Sequence, residues 1–554
     1  MGRDYAFTTS DVLVIALAFA LFVLIRQATR SRKAPLPPGP PGLPILGNAF
    51  DIPKEQAWIP FRDLSSKYGD VIALSALGRT LIVLSSVEAA VDLLDKRSAI
   101  YSDRADSVLV EMIGWTWNLA FKRYGDDWRR VRRLFWQHFQ PNAVGQYQAV
   151  QQRDVRDLLR RLLNAPADLD DEMKLTLTKT ILNAVHGLPK DSVTHRYVDI
   201  LTASEAGIAE AFTPGAFLVE FLPWLRHVPP WVPGAGWQRK VREWRGQSDA
   251  IREEPFEAAM EAINCGDSEP SMLTELLEKA SEDGLDEDAI KDTTAVAFGG
   301  QHPLSFASHH NRTIVSIPKP ARTPYANRLT DNAQVGHSTH APSQTAATVH
   351  AFILAMILHP SAQQRAQSEL AAAVGPDRLP VHADRTSLPY VDATVKDILR
   401  WHNVVPLGVA HRCIREDEYH GWRIPEGAIV MPNAWAILHD PEVFPEPDVF
   451  RPERFLGEDG KPRSDVLDPG SVAFGFGRRI CPGQHFAEDA LFIAIASLLH
   501  VFDFSHALDE QGKPIPVEAK MTSGFLSYVE DFKYSIRPRS SAAEALIKGE
   551  PVVA

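Results

Sequence analysis

Near the C-terminus one cysteine sits in the run Phe474-Gly475-Phe476-Gly477-Arg478-Arg479-Ile480-Cys481-Pro482-Gly483. As a thiolate it could hold iron, provided positive charge and backbone N–H donors lie close enough to keep it ionised. The small residues let the backbone approach both the sulfur and a flat ligand. For a lone cysteine, a buried structural thiol beside a turn is the competing reading. A second chemistry-bearing pair is Trp128 and Arg132, whose spacing sets both on one helix face. A solvated basic face would show the same pattern.

The elements that must position these groups read as mainly helical. Gln484 to His500 is a helical stretch directly after the cysteine turn. Val71–Leu74 and Thr80–Leu84 are short apolar strands that predict a hairpin at Gly78. Long helical patterns dominate from about Trp128 onward, so a mainly α fold with small β-sheets is expected rather than alternating βαβ units. Net charge is −12, which gives no reason to expect nucleic acid as a partner. The three cysteines, Cys265, Cys413 and Cys481, form no C-x-x-C pair, so neither a disulfide framework nor a zinc set is expected.

The N-terminus speaks to compartment. The 18 residues from Thr8 to Ile25 are mostly apolar, about 27 Å of helix against a hydrocarbon core of roughly 30 Å. Arg26, Arg30, Arg32 and Lys33 follow it, while Arg3 alone precedes it. That asymmetry predicts a single-pass membrane anchor with the main domain cytosolic, against the rival of a cleaved signal peptide. The expected division is an anchor and basic stop over residues 1–34, a stiff proline-rich hinge over 35–48, and a main domain over 49–554. Gly215 to Gly236 is rich in aromatics and prolines; it reads either as a buried helix-loop or as an apolar surface dipping into a membrane.

The decapeptide resembles the haem-binding signature of the cytochrome P-450 family at Phe474, Gly477, Arg479, Cys481 and Gly483. Anchor, basic stop and proline hinge resemble the start of its microsomal members, and several other segments follow the family order from about Pro35 to Arg539. The resemblance implies that Cys481 is the axial ligand of haem iron, with Arg479, Trp128, Arg132 and Arg412 as propionate partners. Phe450-Arg451-Pro452-Glu453-Arg454-Phe455 resembles the segment whose Arg454 joins a buried ionic network, here with Asp397 and Arg400. The implied activity is monooxygenation of a lipophilic substrate. Electrons would come from an NADPH-dependent cytochrome P-450 reductase, to which Arg129, Arg130 and Arg133 could attract an acidic face. The setting would be the endoplasmic reticulum membrane, and the sequence is similar to fungal enzymes of secondary metabolism and xenobiotic oxidation. Cavity linings are expected at Ser107–Leu119, before Gly300, at Val405–Ala410 and at Gly524–Leu526.

Two departures qualify the resemblance. The family's Glu-x-x-Arg reads Asp397-Ile398-Leu399-Arg400 here, one methylene shorter in its acid, which predicts a weaker ionic network. More seriously, the distal-helix stretch begins as Ala297-Phe298-Gly299-Gly300 and is then interrupted by 44 residues, 301–344, before helical pattern resumes at Thr345. The insert holds one acidic residue, Asp331, five histidines and several prolines, and no sustained apolar period. A translated intron explains such a break. The proton-relay Asp-Thr pair expected there is missing or displaced; Asp292-Thr293-Thr294 lies about two turns too early and reads as a decoy. A haem-thiolate isomerase or dehydratase, or a haem-binding protein disabled by the insert, therefore stand as alternatives.

Overall fold

The computed structural model describes residues 34–164, 169–188, 191–212, 217–220, 222–283, 286–300 and 344–549. The expected anchor, and the insert apart from Gln344, lie outside the described residues. Among the described residues no single helix is long and apolar enough to cross a membrane.

Helices dominate, as the periodicity predicts. The helix Gln484–Val501 is apolar on nearly every side from Leu491 to Val501, and that whole stretch is buried. Such a helix has no solvent face to offer and becomes the centre of the packing. The helix Gln344–Leu358 has the same character, with Ala351 to Met356 wholly enclosed. These two belong to a core built also from Pro389–Trp401 and the nearby sheets. A second core gathers Asp126–Phe139, Trp237–Cys265 and Glu287–Gly300.

Among the described residues eight strands form three small sheets: β1 (Val71–Ala76), β2 (Arg79–Leu84), β3 (His411–Arg412), β4 (Asp417–Tyr419), β5 (Trp422–Ile424), β6 (Ile429–Pro432), β7 (Phe502–His506) and β8 (Tyr534–Pro538). The four-stranded sheet runs β1-β2-β6-β3. Its β1–β2 hairpin is antiparallel, pairing Val71 with Leu84 through to Ala76 with Arg79. Leu77 and Gly78 both take positive φ, 49° and 83°, which suits a two-residue turn twisted to match its strands. β2 runs parallel to β6, and β3 lies antiparallel on β6's other edge, which carries the 411 region to one wall of the large internal cavity.

Candidate active site

The cysteine turn is shaped by its own backbone. The Cys481 N–H donates to the Phe474 carbonyl at 2.8 Å, closing a loop in which Gly475 and Gly477 take φ of 82° and 56°. Any Cβ on Gly477 would collide with the Leu94 carbonyl oxygen, so that glycine is required by close approach of the neighbouring chain. Cys481 then opens on a large cavity lined by residues from both halves of the chain.

Phe474, Arg479, Cys481 and Gly483 all line the cavity, together with Trp128 and Arg132 from the helix Asp126–Phe139. Trp128 and Arg132 thus face the same cavity, as their spacing on one helix face allows. Arg132 donates to the Ile480 carbonyl at 2.7 Å, beside the thiol. Arg479 lies over the Trp128 ring at 4.5 Å and donates to the carbonyls of Ser102, Leu119 and Lys122 at 2.6, 2.8 and 2.9 Å. Burial pushes its pKa down to about 9 and also lowers that of Arg132. Burial raises the Cys481 thiol, against the opposing pull of the Gly483 N–H and Arg132. Metal coordination would reverse that balance, since a bound cation deprotonates a coordinating thiol.

Two of the expected cofactor contacts lie elsewhere. Gly477 is behind the wall, as its contact with Leu94 requires. Arg412 turns out of the cavity, 3.5 Å from Asp103 and 3.4 Å from Asp106. Strand alternation explains this: neighbours on β3 face opposite ways, and His411 is the one that lines the cavity. Its ring Nδ1–H donates to the Tyr101 carbonyl at 2.7 Å. The sequence reading also passed over Arg104, a wholly buried cavity residue held by the carbonyls of Ala120, Val409 and Ala410 at 2.7, 2.8 and 2.8 Å. No periodicity or motif marks it; an arginine this enclosed shows itself only in three dimensions.

The residues present fit a haem. Arg104, Arg132 and Arg479 are guanidiniums on the cavity wall whose hydrogen bonds go to backbone carbonyls, so their charge lacks a bonded carboxylate among the described residues. Two propionates would supply the missing negative charge. The sulfur lies on the same wall as the flat-ligand approach through Gly475 and Gly483.

Two helices, Glu287–Gly300 and Gln344–Leu358, give the cavity a further wall of Val296, Ala297, Gly299, Gly300 and Thr345. Gly300 and Thr345 line one cavity although 44 residues separate them in the chain. Asp292 is off the cavity, bound to Lys122 at 3.0 Å and Arg252 at 2.8 Å. Thr293 and Thr294 hydrogen-bond back to their own helix, on Ala289 and Ile290.

The shortened acid makes a fuller network than its length suggested. Asp397 accepts from Arg400 Nε at 2.6 Å and from the Arg451 N–H, and lies 3.1 Å from Arg454 Nε. Arg400 also reaches the carbonyls of Pro447 and Val449 at 2.6 and 3.0 Å. The predicted weakness survives in one place: Arg454 Nε approaches Asp397 without hydrogen-bond geometry.

The family model for cytochrome P450 matches residues 37–309 and 334–534, leaving 310–333 unmatched inside the insert. A cytochrome P450 monooxygenase of Armillaria gallica is 37% identical over 97% of this chain and 99% of its own. One from Coprinopsis cinerea is 35% identical over 98% and 99%, and the tryptamine 4-monooxygenase of Psilocybe cyanescens 35% over 97% and 100%. Cavity, sulfur and unpaired guanidiniums agree with that match, and the chain belongs to the cytochrome P450 family, oxidoreductases that use haem iron to place oxygen from O2 into a small molecule.

Proposed function

We propose that this chain is a membrane-associated monooxygenase that takes electrons from an NADPH-dependent reductase and oxidises a lipophilic substrate. The carrying observation is that Cys481 and three buried guanidiniums line one cavity together with the apolar Phe121, Val296 and Phe525. Bound haem supplies the activation of O2. The chain's own groups would do the rest: Arg104, Arg132 and Arg479 would hold its carboxylates, Cys481 would hold the metal, and Phe121, Val296 and Phe525 would keep water from the substrate. Incubating the purified protein with reductase, with and without NADPH, tests this. Product should form only with NADPH; turnover without it would favour an isomerase or dehydratase.

Association with a membrane of the endoplasmic reticulum rests on the expected anchor and on surface apolar groups. Ile45, Phe50, Leu77, Leu218, Trp224 and Trp231 are exposed by 49% or more. Their three segments are tied together: Leu77 N–H donates to Leu46 O at 3.4 Å, and Arg79 reaches the Glu220 carbonyl at 3.3 Å. An apolar surface of this kind favours a bilayer interface over water. The reductase would meet the face bearing Arg133, which is exposed beside the thiolate-supporting helix residue Arg132. Arg129 and Arg130 are engaged with Asp126 and Asp127.

The insert 301–344 is, on this reading, a translated intron. Its composition and the unmatched stretch 310–333 support that. Sequencing the mature transcript should show most of these codons absent; a message that retains them overturns it. The relatives' fungal sources support a role in secondary metabolism or xenobiotic oxidation.

A further inference from the structure

A run of aromatic rings packed against the second core borders the cavity. Phe121, Phe212 and Phe525 come from three distant parts of the chain and remain half-buried. Phe121 stacks on Phe212 with centroids 5.1 Å apart and planes 21° from parallel; Phe212 stacks on Phe525 at 5.5 Å and 26°. Trp115 meets the edge of Phe121 at 6.2 Å and 86°, and is itself stacked on Trp117 at 5.1 Å. Trp115, Phe121 and Phe525 line the cavity. A saturated ligand needs only apolar wall, which leucines provide with less constraint. Parallel rings at the end of a stack offer a face to another flat ring, with an energy beyond simple burial.

Charge narrows the choice further. No Asp or Glu is among the described residues lining the cavity, whereas Arg104, Arg132 and Arg479 are. The acidic groups beside these walls are committed elsewhere. Asp103 accepts from Arg123 at 2.9 Å and from the Tyr124 N–H at 2.9 Å. Asp292 is held between Lys122 and Arg252. With two propionates already paired to those three guanidiniums, a cationic amine entering the cavity would lose its water and find no protein carboxylate to replace it.

We infer that the Trp115–Phe121–Phe212–Phe525 shelf selects a neutral, planar, conjugated ring system as substrate, and that the cavity disfavours cationic amines. This rests on the proposed monooxygenase site and names its substrate class. It sets this chain apart from the relative whose name specifies tryptamine.

Two matched pairs of probes separate shape from charge. Naphthalene and trans-decalin share a ten-carbon skeleton and differ in aromaticity; indole and tryptamine share a ring and differ in the ammonium. Their dissociation constants are read on the purified haem-loaded full chain from the change in the Soret band and from quenching of tryptophan fluorescence. Naphthalene should bind about three- to tenfold more tightly than decalin. Phe121→Leu and Phe525→Leu should each reduce that preference to within about twofold, by weakening naphthalene binding more than decalin binding. Indole should bind more tightly than tryptamine at pH 7. Equal binding of naphthalene and decalin, a preference that survives in both variants, or tighter tryptamine overturns the inference. The carbon monoxide difference spectrum of each reduced protein keeps the outcomes apart. A red-shifted band with no aromatic preference sinks the shelf alone, whereas its absence from the unaltered chain sinks the site reading beneath it. A variant lacking the band is replaced by the other, whose result then decides.

Discussion

The two walls of the cavity are held in opposite ways. Around Cys481 nearly every polar group is tied to backbone: Cys481 to Phe474, Arg132 to Ile480, and Arg479 to three carbonyls at once. The far wall, of Val296, Ala297, Gly299, Gly300 and Thr345, is made of small and apolar residues from two helices separated by the insert. One wall is rigid because charge is buried in it and must be satisfied. The other contributes mostly shape. Chemistry that depends on the metal's ligand should therefore fail sharply when the first wall is altered, and changes on the second should be graded.

The largest expected effect is Cys481→Ser. An alkoxide is far less available than a thiolate, and the variant should lose the red-shifted carbon monoxide band altogether. Retention of that band would show that the sulfur does not bind the metal. Next comes the ionic support behind the same wall. Asp397 and Arg400 have fully buried side chains, so Asp397→Ala leaves charge uncompensated and should cost about 3–5 kcal/mol in urea unfolding. Asp397→Glu separates fit from charge. The aspartate already reaches Arg400 and the Arg451 N–H, so a longer acid should overfill the site and cost about 1–3 kcal/mol. If glutamate stabilises the protein instead, the loose approach of Arg454 is a defect that the extra methylene repairs.

How much of this was legible beforehand follows the same division. The thiolate wall was readable because its demands fall on adjacent residues: glycines at strained angles, a cysteine and a helix start within a few positions. The β1–β2 hairpin was readable for the same local reason. What escaped needed long-range geometry. Arg412 fits a linear motif, but which of two strand neighbours faces inward is set by the pairing of β3 with β6, and this sends His411 to the cavity. Arg104 and the Phe121–Phe212–Phe525 stack join segments far apart in the chain. The ionic network was read in its members but not its strength, because the reach of Asp397 depends on where the 447–454 loop lies.

The smallest effect belongs to the far wall and is one of pH. His186 is buried behind it, edge-on to Phe298 at 6.0 Å and 88°, and its Nδ1 has no hydrogen-bond partner among the described residues. Burial pushes its pKa down to about 3, from an ordinary value of about 6.5. The unfolded chain therefore takes up the proton first as pH falls. The group's contribution to stability is complete above about pH 6.5 and is lost as pH drops from there toward about 3, with a slope of at most about 1.4 kcal/mol per pH unit. His186→Leu keeps an apolar surface against Phe298 and removes the titration. Urea midpoints at pH 7 and pH 5 should fall further for the unaltered protein than for the variant. Other buried histidines, His138 and His402 among them, titrate in both proteins, so the difference between the two profiles isolates this one. Equal falls would mean that the wall opens to admit a charged ring at little cost, and would remove the packing argument for a dry distal side.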